Sequence, residues 1–207
     1  MTDPKRKSKI RDYAETLAIA LLIALFVRTF VVQAFKIPSS SMVPTLLVGD
    51  HILVNKFIYG IRIPLIGKKV LTLASPERGD VIVFIYPRDR SKDFIKRVIG
   101  LPGEKVEIIG RNIYVNDRLI EDPWGYYPAD VGSWNSASRE HFGPKTVPQG
   151  MLFVLGDNRY NSQDSRYWGF VPLDDVLGEA FVIYWSWDWG SRSIIQKVRW
   201  NRLFDLI

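Results

Sequence analysis

The sequence predicts a mainly β protein: a single N-terminal transmembrane helix followed by an antiparallel β-rich domain outside the cytoplasm. Three observations predict it. A basic stretch precedes an apolar run from Ala14 to Val32, AETLAIALLIALFVRTFVV. Beyond residue 35 no long 3.6-residue periodicity appears. The rest of the chain reads as short apolar runs between glycine, proline and acidic turns.

Composition narrows the function classes. The 207 residues are 47% hydrophobic and 24% charged, which excludes disordered and fibrous proteins. The absence of cysteine excludes a disulfide scaffold, a thiolate zinc site and a cysteine nucleophile. His51 and His141 are the only histidines, too few for a multi-histidine metal site. Of the net charge of +6, Lys5, Arg6, Lys7, Lys9 and Arg11 against Asp3 supply +4. The basicity is an end effect, so no nucleic-acid partner is expected.

The elements follow in order. Residues 1–13 read as a short basic cytoplasmic tail and residues 14–33 as the anchor. Leu17 to Val27 is unbroken apolar sequence, and with its flanks it reaches about 20 residues, or about 30 Å of helix, near the hydrocarbon thickness. Preceding lysines and arginines put the N-terminus in the cytoplasm and residues 34–207 outside. Arg28, near the outer end, can snorkel to the interface. A cleaved signal with Val32-Gln33-Ala34 as its processing site, or a buried core helix, are the competing readings. The apolar residues Phe30, Val31 and Val32 beyond Arg28 make the segment long for a cleaved signal.

Strands are expected at 51–56, 80–86, 94–99, 105–109, 112–115, 118–120, 151–155 and 179–185, with a hairpin turn at Asn116-Asp117. Residues 122–147, rich in Pro, Gly, Ser, Trp and Tyr, read as a surface excursion, either a lid or a plain insertion. Trp185, Trp187 and Trp189 alternate near the last expected strand and suit either a lipid interface or sheet packing.

Three segments carry chemistry. Ile37 to Leu46, IPSSSMVPTL, sets three serines between two prolines directly beyond the anchor. It is either a polar linker or, given Met42, Val43 and Leu46, part of a site for a short apolar peptide. Asp93 to Gly103, DFIKRVIGLPG, puts Lys96 on the strand face of Phe94 and Val98. Such a lysine either holds its head in water at a sheet edge or loses pKa among apolar neighbours. Gly156 to Gly169, GDNRYNSQDSRYWG, is a polar loop dense enough to fix one geometry. A serine nucleophile needs a base, and with both histidines in structural contexts the remaining neutral amine is a lysine.

Together the segments PSSSMVPTL, GDHILVNKF, RGDVIVF, FIKRVIGLPGE and GDNRYNSQDSRYWGFVP resemble, in order and spacing, the successive boxes of bacterial type I signal peptidases, serine–lysine proteases. The resemblance runs from about Ala34 to Trp185. It implies Ser41 as nucleophile and Lys96 as general base. It implies Ser39 as an oxyanion donor beside the Ser41 N–H, and Ser162 as the hydroxyl orienting the lysine amine. Arg97, Asp157, Arg159, Asp164 and Arg166 would form the supporting loop. Phe35, Ile37, Met42, Leu46, Ile52, Val83, Phe94 and Ile95 would line pockets for small residues, as in an Ala-X-Ala junction. Tyr160 departs from the acidic residue expected after GDNR. The implied role is a membrane-bound endopeptidase of the bacterial cytoplasmic membrane that needs no cofactor or metal. Its partners would be signal peptides of secreted preproteins, membrane lipid and the export machinery. A self-cleaving repressor-type protease, a dedicated maturation protease and a tethered peptide-binding domain are the other classes compatible with the sequence.

Overall fold

In the computed structural model, residues 9–62, 69–70, 72–128, 141–191 and 193–207 are described. Helix α1 spans Lys9–Phe30, and its Arg11–Phe30 stretch has a mean hydropathy of 1.7 with no part buried against the protein. Leu17, Leu21, Leu22 and Phe26 are each more than half exposed. An apolar helix with no protein to cover it is not a core helix, and its 22 residues, about 33 Å, are long enough to cross a bilayer. The helix stops at Phe30, short of the expected limit at residue 33. Val32–Lys36 instead form strand β1, because their backbone is needed to pair with β2 (Asp50–Asn55).

The body is antiparallel. Its main sheet runs β1, β2, β13 (Val176–Ser186), β5 (Val81–Ile85), β6 (Asp93–Gly100), β11 (Met151–Leu155), β12 (Val171–Pro172), with β14 (Asp205–Leu206) also on β13. A second sheet has the order β10 (His141–Thr146), β7 (Lys105–Ile109), β8 (Asn112–Val115), β9 (Arg118–Leu119). A small pair, β3 (Ile61–Arg62) and β4 (Lys69–Val70), completes the strands among the described residues. Each expected strand is present within one or two residues at most ends, but β13 begins earlier, at Val176. The Asn116-Asp117 turn has positive φ at both residues, the geometry of a two-residue hairpin.

Two expectations change. The short pieces β1, β10, β12 and β14 lack an alternating apolar pattern and are strands because a neighbour's edge recruits them. Residues 141–146, placed in the surface excursion 122–147, pair with β7; residues 129–140 lie outside the described residues.

β5 is the centre of the molecule. Its Val81 and Val83 face a core cluster with Ile37, Met42, Leu46, Ile52 and Val54, while Ile82 and Phe84 face another with Val98, Leu152, Val154 and Trp168. A strand covered on both faces reads as a continuous apolar run, and VIVF is one. β6 lies beside it, with Lys96 opposite Ile82 and Arg97 opposite Val81. That register carries Lys96 into the protein rather than to a wet edge.

Candidate active site

The serine segment follows β1 and closes into a turn, where Leu46 N–H donates to the Met42 carbonyl at 2.9 Å. Met42 and Leu46, four residues apart, are both fully buried and pin the turn to the core. Asp50 holds the far end: its carboxylate accepts from Leu47 N–H at 2.8 Å and Arg202 at 2.7 Å, and Arg202 also donates to the Thr45 carbonyl at 2.8 Å. Asp50 lies in the GDHILVNKF box but has no role implied by the resemblance, and Arg202, 152 residues on, lies beyond the segments that carry it.

That anchoring presents Ser41 to Lys96. The Lys96 Nζ lies 2.8 Å from Ser41 Oγ and 2.8 Å from the Ile95 carbonyl. Lys96 is 3% exposed, and burial lowers its pKa from 10.5 to about 8, against the opposing pull of the Asp164 and Asp157 carboxylates. The charged form is disfavoured because the amine has exchanged water for protein. Ser39 Oγ is 3.5 Å from Ser41 Oγ. The Ser41 N–H donates to no group among the described residues, so it is free to bind a ligand oxygen. Ser162 is buried, but its hydroxyl has no partner among the described residues. The orienting contact expected of it is taken by the Ile95 carbonyl, which the strand itself places beside the amine.

The supporting loop is built from ion pairs that the sequence could not connect. Arg97 forks onto Asp157 at 2.8 and 2.7 Å, and Thr45 donates to the same carboxylate at 2.6 Å. The Arg97 guanidinium also stacks 4.7 Å from the Trp124 ring. Arg159 pairs with Asp122 and donates to the Gly156 carbonyl at 3.1 Å. Asp164 accepts from Arg166 at 2.8 Å and from Gly156 N–H at 3.1 Å. Arg97, Asp157, Arg159 and Asp164 are buried, so each is expensive unless paired, and together these pairs fix the loop. Tyr160, in place of an acid, packs edge-on against Tyr127 at 5.3 Å. Gly156 is required by space: a Cβ there would meet Ser162 Oγ at 2.2 Å and the Ser41 carbonyl oxygen at 2.5 Å.

An open cleft of about 370 Å³ lies over the pair, lined by Pro38, Ser39, Ser40, Ser41, Asp93, Phe94, Ile95, Lys96, Asn161 and Gln163. Of the residues expected to line pockets, Phe94 and Ile95 do so. Ile37, Met42, Leu46, Ile52 and Val83 are at most 2% exposed and belong to a core cluster instead of the cleft lining, with Phe35 packed against them. Ile95, which lines the cleft, packs against this cluster, and the serine turn uses Met42 and Leu46 as its own anchors. His51 sits in β2 edge-on to Tyr184, and His141 is exposed in β10; neither lines the cleft. Among the described residues no cluster of His, Cys, Asp or Glu could hold a metal.

Residues 10–185 match the family model for signal peptidase, peptidase S26. The signal peptidase I of Pseudomonas aeruginosa is 41% identical over 85% of this chain and 72% of its own length. That of Aquifex aeolicus is 37% identical over 86% and 85%. A solved signal peptidase I from Enterococcus faecalis is 38% identical, covering 51% of this chain and 97% of that one, with a TM-score of 0.43. The chain belongs to the signal peptidase family, peptidase S26. With its exposed apolar helix it is a membrane-anchored peptidase.

Proposed function

We propose that this chain removes signal peptides from exported preproteins at the outer face of the bacterial cytoplasmic membrane, with Ser41 as nucleophile and Lys96 as general base. The observation that carries the reading is the 2.8 Å contact between Ser41 Oγ and a buried amine whose pKa is lowered to about 8. At an ordinary lysine pKa about 3 amines in 10,000 are neutral at pH 7; at a pKa of about 8 roughly one in ten is. In the neutral amine the contact runs from hydroxyl to nitrogen, and Lys96 takes the Ser41 proton as Oγ attacks the scissile carbonyl. The Ser41 N–H and Ser39 Oγ receive the oxyanion. The Lys96 ammonium then protonates the departing amine, and the neutral amine activates water against the acyl-enzyme.

The cleft's apolar lining by Phe94 and Ile95 supports selection of small side chains at an Ala-X-Ala junction. Residues 1–13 are read as cytoplasmic, the helix as the anchor, and residues beyond it as extracytoplasmic. Ser41 follows the end of α1 by few residues, so the attack site is tethered near the membrane where a preprotein's junction emerges. Trp185, Trp187, Trp189 and Trp200 form a chain of ring contacts of 6.0 to 6.5 Å, and Trp189, Trp200, Phe204 and Leu206 are more than 60% exposed. Lys36, at the end of β1, lies 5.1 Å over the Trp189 ring, which ties this patch to the strand leaving the anchor. These features support a lipid-facing surface.

The test is incubation with a precursor carrying an Ala-X-Ala junction, followed by sequencing of the new N-terminus. Cleavage after the second alanine, abolished by Ser41→Ala, is expected. Undiminished cleavage by folded Ser41→Ala protein would remove the assignment.

A further inference from the structure

Asn158 grips the nucleophile from behind. Its side-chain Nδ2 donates to the Ser40 carbonyl at 3.1 Å, and its backbone N–H donates to the Ser41 carbonyl at 3.1 Å. A carbonyl can only accept, so the amide nitrogen must face it. The Ser40 carbonyl also accepts from Val43 N–H at 3.2 Å within the turn, and with that bond the two from Asn158 fix the two peptide planes on either side of the Ser41 Cα, and hence the direction of its side chain. The first plane matters most. The Ser40 carbonyl and the Ser41 N–H belong to one trans peptide and point in opposite directions. Holding the carbonyl inward therefore turns the N–H outward, where it has no other partner among the described residues. A donor on the carbonyl also polarises the peptide and strengthens the N–H as a donor.

Asn158 is 6% exposed, and its Oδ1 is buried with no partner among the described residues. A side chain that buries an unsatisfied oxygen is not selected for stability alone. We infer that Asn158 is a positioning residue for the oxyanion site: it sets the Ser40–Ser41 peptide plane so that the Ser41 N–H meets the developing negative charge. Asn161 serves a lesser purpose nearby, donating to Ser40 Oγ at 2.8 Å in an exposed contact. This inference rests on Ser41 being the nucleophile.

The experiment uses the full chain in detergent micelles, comparing native protein with Asn158→Ala. An oxyanion donor is worth about 10²–10³ in rate, so losing its orientation while keeping the group should lower kcat about 10–100-fold. KM should change by less than about twofold, because the interaction is made only in the transition state. The inflection of rate with pH should stay in place, since Lys96 is untouched. Affinity for a peptide boronate, whose boron gains Ser41 Oγ as a fourth ligand and takes on the negative charge, should fall in step with kcat. Affinity for an uncleavable peptide should not. The Ser41 amide resonance of ¹⁵N-serine-labelled protein should move upfield. If the alanine variant does not fold, Asn158→Leu keeps nearly the same shape, removes the side-chain donor to the Ser40 carbonyl and adds no charge near Lys96, with the same expectations. A kcat unchanged from native, a loss confined to KM, or a displaced pH inflection would overturn the inference. Activity surviving Ser41→Ala would instead remove the nucleophile assignment on which it rests, so the two failures are distinguishable.

Discussion

Changing pH titrates the Lys96 amine directly, and its consequences can be worked from the site. Only the neutral amine can accept the Ser41 proton. With a pKa of about 8, set by burial, roughly one amine in ten is neutral at pH 7, half at pH 8 and nine in ten at pH 9. The value of kcat/KM, measured on a soluble fluorogenic peptide, should therefore rise about tenfold from pH 7 to pH 9 and then level off. On a logarithmic plot the slope is about one below the inflection and zero above it. Removing the amine removes the limb: Lys96→Ala should be folded by circular dichroism and inactive. Lys96→Arg should be equally inactive, because a guanidinium does not deprotonate in a protein. Two results would refute the reasoning. One is an inflection between pH 6 and 7, the range of a histidine. The other is a folded Lys96→Arg protein working at near-normal rate.

The same burial has a consequence for stability. Lys96 keeps its proton to about pH 10.5 when unfolded but loses it near 8 when folded, so the unfolded chain binds more protons between those values and stability rises with pH across them. The stability gap between Lys96→Met and native protein, from urea denaturation, should therefore move by about 2 kcal/mol in favour of the native lysine from pH 7 to pH 10; a constant gap would contradict the buried-amine reading. Ser39→Ala should slow cleavage by about 10²–10³-fold with the fold retained, whereas Ser40→Ala, which loses one exposed bond from Asn161, should change the rate little; the reverse order in a steady-state assay would show that the roles are misplaced. A chain beginning at Val31 should fold, since it keeps β1 and the 2.9 Å bond from Lys56 N–H to the Val31 carbonyl, yet need lipid for full activity. Equal rates with and without vesicles on a soluble peptide would argue against an interfacial surface.

By itself the sequence determined everything that depends on neighbours along the chain. The apolar run ending near Phe30 can satisfy its backbone in lipid only as a helix, so its length and composition suffice to define it. The alternating and buried runs of β2, β5, β6, β7, β8 and β11 carry their period in their own residues, and Asn116-Asp117 carries its own turn. The resemblance likewise pointed to Ser41 and Lys96 because the boxes around them are local. What the tertiary structure decided is what depends on residues brought together from afar. Strands β1, β10, β12 and β14 exist because an adjacent edge offers hydrogen bonds, which no pattern within them announces. The burial of Ile37, Met42, Leu46, Ile52 and Val83 in one core cluster follows from the serine turn being anchored there. The partners of the buried charges, Arg97 with Asp157 and Trp124, Arg159 with Asp122, and Asp50 with Arg202, join segments whose separation in sequence says nothing of their meeting. The 2.8 Å contact across 55 residues between Ser41 and Lys96 belongs here too, as does the lowered pKa. An amine's proton affinity is set by the water it has lost and the charges around it, and both are properties of the folded chain.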